Sequence, residues 1–191
     1  MAGKLFLLSA PSGCGKTTIV THVIKDLEAL CQISRVITYT SRLARSTDAP
    51  GVDYHFLSEQ EFQKRIKQNF FLEWSCAYGN YYGTPRSLIE HVKNGQSYVA
   101  IVDRAGIISI LQAYAPSIAI WLEPPSLAAL EQRLRWRGSE DSAEFSKRLL
   151  LAKNEIRQEC EQPLCKHRIV NDVFDSALEE LKKILISELC F

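Results

Sequence analysis

The feature that most constrains the fold of this chain is a short apolar run followed at once by a glycine-rich loop. The run over residues 5–8 has the length and character of a buried strand, and residues 10–18 then read Ala-Pro-Ser-Gly-Cys-Gly-Lys-Thr-Thr. Gly13 and Gly15 allow a tight turn that exposes backbone N–H groups, and a helix that begins near Lys16 points its positive end at the same place. The pattern therefore predicts a strand, a phosphate-binding loop and a helix in succession.

This loop has the residues needed to hold a nucleoside triphosphate. Lys16 is expected to reach the β- and γ-phosphates, and the Thr17 hydroxyl to ligate Mg²⁺. Ala10 stands where the general pattern has glycine, which is a mild departure because the rest of the pattern is present. The alternative is an ordinary glycine-rich turn between a strand and a helix. The expected contacts are Ala10, Pro11, Ser12, Gly13, Cys14, Gly15, Lys16, Thr17 and Thr18.

Composition limits the classes of protein that the chain can represent. With 191 residues, 46% of them hydrophobic, it can bury one substantial α/β core with small appended lobes. A net charge of +1 gives no overall sign of nucleic acid or anionic membrane as a partner. No apolar stretch approaches the roughly 18 residues of a membrane span, and we expect no signal peptide before the first strand. We expect a cytoplasmic protein that needs no obligatory protein partner.

The six cysteines show no framework spacing, so free thiols are expected. Cys160, Cys165 and His167 could form half of a zinc site, but no second pair completes it. Cys14 would favour the thiolate form if it were accessible, because it adjoins a helix N-terminus and Lys16.

Strand-like and helix-like patterns alternate along the chain. We expect a helix over about 16–30, a strand over 35–39, and a helix that opens at Pro85 and ends near 94–95. Apolar runs over 98–102 and 118–122, with a shorter one at 168–170, indicate parallel strands covered on both faces. In such sheets ligands bind at the carboxyl ends of the strands. The residues that fall at those ends are Ala10, Asp103, Glu123 and Asn171.

A first arginine cluster lies in the polar loop after the second strand. Arg42 and Arg45 are flanked by hydroxyl groups and followed by Tyr54, a combination that forms a fork for a phosphate monoester. A solvated charged loop is the alternative. Glu73 lies further on, and a carboxylate that accepts two hydrogen bonds suits guanine, whose N1–H and N2 amine are adjacent donors. The alternative for Glu73 is an exposed charge at a strand edge.

A second arginine cluster follows the strand at 118–122. Arg133 and Arg137 lie four residues apart, where like charges repel unless an anion lies between them. Gly138 would let the segment hinge over a triphosphate, and Arg148 follows an acidic stretch. Salt bridges compete with this interpretation, and their candidate acids are Glu131, Glu140 and Glu144.

Several longer motifs together resemble the guanylate kinase family, and the resemblance covers essentially the whole chain. The most selective of them are the Thr-Ser-Arg-x-x-Arg loop over 40–45 and the Gly-Asn-Tyr-Tyr-Gly-Thr run over 79–84. The others are the phosphate loop, Gly-x-x-Tyr-x-Phe over 51–56, Phe-Leu-Glu-Trp over 71–74, Arg-Leu-x-x-Arg-Gly over 133–138 and Ile-Val-Asn-Asp over 169–172.

The resemblance implies an α/β fold: a P-loop NTPase core with a parallel sheet flanked by helices, a small mixed α/β GMP-binding lobe and a short helical lid. It places the core at 1–35, 92–124 and 158–191, the lobe at 36–91 and the lid at 125–157. The implied reaction is transfer of the γ-phosphoryl group of ATP to GMP or dGMP, assisted by Mg²⁺ and lid closure.

The resemblance also implies a role for individual residues. Those implied to act in catalysis are Lys16, Arg42, Arg137 and Arg148. Beside the phosphate loop, those implied to bind ATP are Arg133, Arg137 and Asn171, with Asn171 near the adenine. Those implied to bind GMP are Thr38, Arg42, Arg45, Asp48, Tyr54, Glu73, Tyr82, Thr84 and Asp103, and Thr17 is the implied magnesium ligand.

The chain departs from the family pattern at a few positions. Ile101 stands where an acidic residue is usual, Arg104 and Ala105 are unusual, Asp48 replaces a glutamate, and residues 165–167 replace an aromatic-Asp-aromatic segment. We expect activity to survive with shifted kinetics. The competing interpretations are a guanylate-kinase-like module that binds peptides, a related kinase for a ribosyl phosphate without a base, and a nucleotide-regulated switch protein.

Overall fold

The computed structural model of the chain describes residues 2–46, 48–77, 79–136 and 142–190. In chain order its elements are β1 (Leu5–Ser9), α1 (Lys16–Leu27), β2 (Ile33–Arg35), β3 (Thr38–Thr40), β4 (Tyr54–Phe56), α2 (Glu59–Lys67), β5 (Phe71–Ala77), β6 (Asn80–Pro85), α3 (Leu88–Lys93), β7 (Ser97–Ile101), α4 (Arg104–Ala113), β8 (Ile118–Glu123), α5 (Leu127–Trp136), α6 (Ser142–Glu161), β9 (His167–Val170) and α7 (Phe174–Leu189). Among the described helices, none combines the length and apolar character that crossing a bilayer requires.

The larger sheet is parallel and has the order β2-β7-β1-β8-β9. Its central strand β1 is buried along its whole length, which explains why the run has no polar alternation. Phe6 and Leu8 pack into a core with α1, α5 and α7, whereas Leu5 and Leu7 pack into a second core with α3 and α4. Helices therefore cover both faces of the sheet, which confirms the predicted fold class.

The smaller sheet has the order β4-β3-β6-β5, with β3 and β4 parallel and the other pairs antiparallel. Helix α2 begins at Ser58, whose side chain accepts a hydrogen bond from the Glu61 N–H at 3.1 Å. Its Phe62 ring stacks on Phe71 with the ring centroids 4.4 Å apart. A Cβ atom at Gly83 would lie 2.8 Å from Phe71, so glycine is needed for this close packing. The result is a small mixed α/β lobe beside the main core.

Three predicted boundaries were wrong. Helix α1 ends at Leu27 rather than near residue 30, because Leu30 N and Cys31 N both turn back to donate to the Leu27 carbonyl. The predicted strand over 35–39 is two strands, β2 in the large sheet and β3 in the small one, and the chain passes between the sheets there. Pro85 ends β6 and lies opposite Phe71, so the next helix begins only at residue 88.

Candidate active site

The predicted succession of strand, glycine-rich loop and helix is confirmed at residues 5–27. Gly13 and Gly15 have φ angles of 91° and 82°, a region that other residues rarely adopt. A Cβ atom at Gly13 would also lie 2.9 Å from the Leu134 side chain of α5, so the loop passes close beneath that helix. The Lys16 ammonium group donates to the Ala10 carbonyl at 2.6 Å and thus lies folded over the loop.

The phosphate loop is supported by Asn171, a residue distant in sequence. Asn171, which follows β9, is buried, and its side-chain amide donates to the Cys14 carbonyl at 2.9 Å. A Cβ atom at Gly15 would lie 3.2 Å from the same amide nitrogen. Asn171 therefore holds the shape of the loop, and its contact with adenine stays a prediction. Cys14 is only 1% exposed, so the accessibility that its predicted thiolate character requires is not met.

The first arginine cluster is partly organised by Asp48. The Arg42 guanidinium forms an ion pair with the Asp48 carboxylate at 2.9 Å, and the same carboxylate accepts from the Arg45 N–H at 2.7 Å. Although burial alone would raise it, these hydrogen bonds from Arg45 and Arg42 lower the pKa of the Asp48 carboxyl. Arg42 is thus held in place, whereas the Arg45 side chain extends into solvent.

Two tyrosines and a threonine lie beside this cluster. The Arg42 guanidinium carbon is 5.6 Å from the centre of the Tyr54 ring, and the Tyr54 and Tyr82 rings are 6.2 Å apart. Thr38 is opposite Tyr54 in the β3–β4 register. Burial, with Tyr82 contributing, raises the pKa of the Tyr54 hydroxyl, which keeps it protonated and able to donate a hydrogen bond.

Glu73 is a buried carboxylate, with 8% of the residue exposed, so the alternative of an exposed strand-edge charge is wrong. The Thr84 hydroxyl donates to Glu73 Oε1 at 2.6 Å. The other oxygen faces the first turn of α4, where a Cβ atom at Gly106 would lie 3.2 Å from it. Burial raises the pKa of Glu73 to about 7; the hydrogen bond from Thr84 opposes this, and the negative charge of Asp103 adds to it.

Asp103 is the N-cap of α4, and its carboxylate accepts from the Gly106 N–H at 2.7 Å. It lies two residues after the end of β7, at the carboxyl edge of the large sheet next to the end of β1. A Cβ atom at Gly106 would lie 3.3 Å from Asp103 Oδ1 and 3.2 Å from Glu73 Oε2, so the sheet edge and the smaller lobe meet at this turn.

Glu155 on α6 was missed by the sequence analysis. Burial raises the pKa of its carboxyl to about 7, the positive charge of Lys16 lowers it, and the charge of Asp103 raises it. Glu155 therefore lies in the field of both the phosphate-loop lysine and Asp103. Its place on the face of α6 that also carries the buried Ala152 and Glu159 is the periodic signal that could have indicated it.

The second arginine cluster is described only in part. Arg133 on α5 and Arg148 on α6 are half-buried, whereas Arg137 and Gly138 lie outside the described residues. Glu131, one of the acids proposed as a salt-bridge partner for this cluster, pairs with Arg135 at 2.8 Å.

These features define a P-loop nucleotide-binding protein with a second lobe that presents a buried carboxylate and an arginine held by an acid. A protein-family model described as guanylate kinase matches residues 2–188. The chain is 38% identical over 188 residues to the guanylate kinase of Chlamydia abortus, covering 98% of this chain and 89% of that protein. It is 36% identical over 189 residues to that of Thermotoga maritima, covering 98% and 88%.

The solved structures agree with this assignment. The crystal structure of guanylate kinase from Anaplasma phagocytophilum matches with a TM-score of 0.80 at 26% identity, covering 98% of this chain and 87% of that chain. The chain belongs to the guanylate kinase family. This confirms the family, the fold and the class of enzyme that the sequence predicted.

Proposed function

We propose that this protein transfers the γ-phosphoryl group of ATP to GMP and dGMP by in-line displacement with lid closure. The observation that carries the proposal is where the buried carboxylate of the smaller lobe lies. Glu73, which accepts from Thr84 at 2.6 Å, has its other oxygen 3.2 Å from the Cβ position of Gly106, in the first turn of α4. Helix α4 follows β7, which pairs with β1, the strand that leads into the phosphate loop. This arrangement supports a site with the phosphoryl donor on the loop and the acceptor beside Glu73.

Guanine recognition is assigned to Glu73. As a carboxylate it accepts hydrogen bonds from N1–H and the N2 amine of guanine, a pair of donors that adenine lacks. The hydrogen bond from Thr84 fixes one oxygen of this carboxylate, and Thr38 is assigned to the same base. Asp103 is assigned to GMP as well, because its Oδ1 and Glu73 Oε2 both lie within 3.3 Å of the Cβ position at Gly106.

The GMP phosphate is assigned to four donors: Arg42, Arg45, Tyr54 and Tyr82. Because Asp48 already holds the Arg42 guanidinium, less conformational entropy is lost when the phosphate binds. The exposed Arg45 side chain is able to close on the phosphate from solvent.

The ATP phosphates are assigned to the N–H groups of the phosphate loop and to Lys16, which exchanges the loop carbonyls for phosphate oxygens. Arg133, Arg137 and Arg148 are assigned to the triphosphate. No strong general base is needed, because the attacking oxygen belongs to an already ionised phosphate. The guanidinium groups offset the repulsion between two anions held at reacting distance, and lid closure excludes water.

The residues present fit a magnesium ion. Thr17 is exposed at the start of α1, next to Lys16, and offers a hydroxyl oxygen, the hard ligand that Mg²⁺ prefers. One such ligand is sufficient, because Mg²⁺ in kinases takes the rest of its coordination from phosphate oxygens and water. When bound, the ion neutralises charge on the transferred phosphoryl group.

We propose the same division of the chain as the resemblance implies, with the core at 1–35, 92–124 and 158–191, the GMP lobe at 36–91 and the lid at 125–157. The separate small sheet supports the lobe boundary, because all its strands lie between residues 38 and 85. The cytoplasmic location and the lack of need for a protein, membrane or nucleic-acid partner stay predictions.

The identity of the phosphoryl acceptor distinguishes this activity from the alternative functions. ADP release is followed with ATP and Mg²⁺ while GMP, dGMP, AMP, CMP, UMP and ribose phosphates are offered in turn. Turnover with GMP and dGMP alone is expected. Turnover only with a ribosyl phosphate would retain the chemistry and reject the guanine site, and GMP binding without turnover would favour the peptide-binding module.

A further inference from the structure

A buried ion pair that none of these steps uses joins the first turn of α4 to the last turns of α6. The Arg104 guanidinium binds the Glu159 carboxylate, and the two side chains are only 9% and 0% exposed. Taking two charges out of water has a large desolvation cost, so such a pair is weak evidence for a stabilising role alone. The position of the Arg104–Glu159 pair indicates a second role.

The other hydrogen bonds of the pair close the turn between α6 and β9. Glu159 Oε1 accepts from the Leu164 N–H at 3.0 Å and the Cys165 N–H at 3.1 Å. The Arg104 guanidinium also donates to the Gln162 carbonyl at 2.6 Å. The pair thus ties the carboxyl end of α6 and the turn that follows it to the start of α4.

Both partners adjoin a charged group of the candidate site. Arg104 comes directly after Asp103, whose carboxylate caps α4 and acts on Glu73. Glu159 lies one helical turn after Glu155, whose carboxylate lies in the field of Lys16 and Asp103. The pair therefore lies next to the segments that carry Asp103 and Glu155.

We propose that Arg104 and Glu159 are positioning residues for phosphoryl transfer, and that their ion pair fixes the part of α6 that carries Glu155 against the first turn of α4, beside Asp103. The inference rests on the proposed function. The same helix carries Arg148 about two turns before Glu155. Holding the end of α6 therefore also determines where this arginine lies when the donor binds.

The test removes both charges together. In the variant Arg104→Met/Glu159→Gln the glutamine oxygen still accepts from the turn, and neutral replacements of a buried pair often preserve stability. We expect kcat to fall about tenfold with both KM values nearly unchanged, a typical effect of a lost coupling. The conservative variant Arg104→Lys should recover part of kcat. The control Lys182→Met removes an ion pair with Asp26 that joins α7 to α1, and it should leave the kinetics unchanged.

A double-mutant cycle with Glu155→Gln separates positioning from a purely structural role. If the pair acts through Glu155, adding Arg104→Met/Glu159→Gln to the Glu155→Gln variant causes no further loss of kcat. The proposal would be overturned if the losses of kcat from Glu155→Gln and from Arg104→Met/Glu159→Gln multiply when the changes are combined. It would also be overturned if Arg104→Met/Glu159→Gln alone leaves kcat unchanged. Thermal unfolding of every variant is measured first, and if the double variant is unfolded the same cycle is run with Glu159→Gln alone. A wild-type protein that does not turn over GMP would contradict the proposed function instead.

Discussion

The ionisation of Glu73 leads to a quantitative prediction for GMP binding. Only the carboxylate accepts both guanine donors, and burial raises its pKa to about 7. The ionised fraction then rises from about one tenth at pH 6 to about nine tenths at pH 8. GMP should therefore bind about tenfold more tightly at pH 8 than at pH 6 on account of this group.

Isothermal titration calorimetry of GMP binding at pH 6, 7 and 8 measures this effect, and Glu73→Gln is the matched control. The phosphate of GMP also titrates near pH 6, but it does so equally with both proteins. We expect the variant to bind GMP roughly 30- to 100-fold more weakly at pH 8, because a charge-assisted pair of hydrogen bonds is lost. Its pH dependence should be that of the phosphate alone. Equal pH dependence in the two proteins would refute the assignment of Glu73 to guanine.

Three further predictions concern the phosphate loop, the arginine fork and the buried carboxylates. Lys16→Met should abolish phosphoryl transfer while calorimetry still detects GMP binding, and wild-type turnover would rule out the assigned role of this lysine. Arg42→Met should weaken GMP binding by about tenfold or more and leave the affinity for ATP nearly unchanged, because it removes one charged contact with the GMP phosphate. A change in the affinity for ATP alone would show that the two arginine clusters have been assigned to the wrong nucleotides. Glu73 and Glu155 both have a pKa of about 7 in the folded protein, above the ordinary value of 4.5, so the fold favours their protonated forms. The free energy of unfolding should therefore fall between about pH 4.5 and 7 as the pH rises, by about 3 kcal/mol for each carboxyl group. Urea denaturation at several pH values measures this fall in the free energy of unfolding, which should be smaller in the Glu155→Gln variant. The same pH dependence in the variant and the wild type would contradict the raised pKa of Glu155.

The parts of the molecule that could be predicted from the sequence are those with a local signature. The phosphate loop depends on residues within one short segment, and the buried strands of the large sheet depend on continuous apolar runs. Strands β2 and β3 have only three residues each, which is too short for a periodic pattern to separate them.

The support of the site could not be predicted in the same way, because it is made of distant contacts. Asn171 and Cys14 are 157 residues apart, and Arg104 and Glu159 are 55 residues apart. Which polar side chains meet over such separations depends on how the helices pack on the sheet. Glu155 escaped notice for the same reason, since only the folded chain brings it into the field of Lys16 and Asp103.

The most direct test of the account follows the transferred group itself. The protein is mixed with GMP, Mg²⁺ and ATP labelled in its γ-phosphate, and the products of a single turnover are separated. We expect the label to appear in GDP, with little in inorganic phosphate, because lid closure excludes water from the site. Label found mainly in inorganic phosphate, or left in ATP while GMP is bound, would contradict phosphoryl transfer between the two lobes.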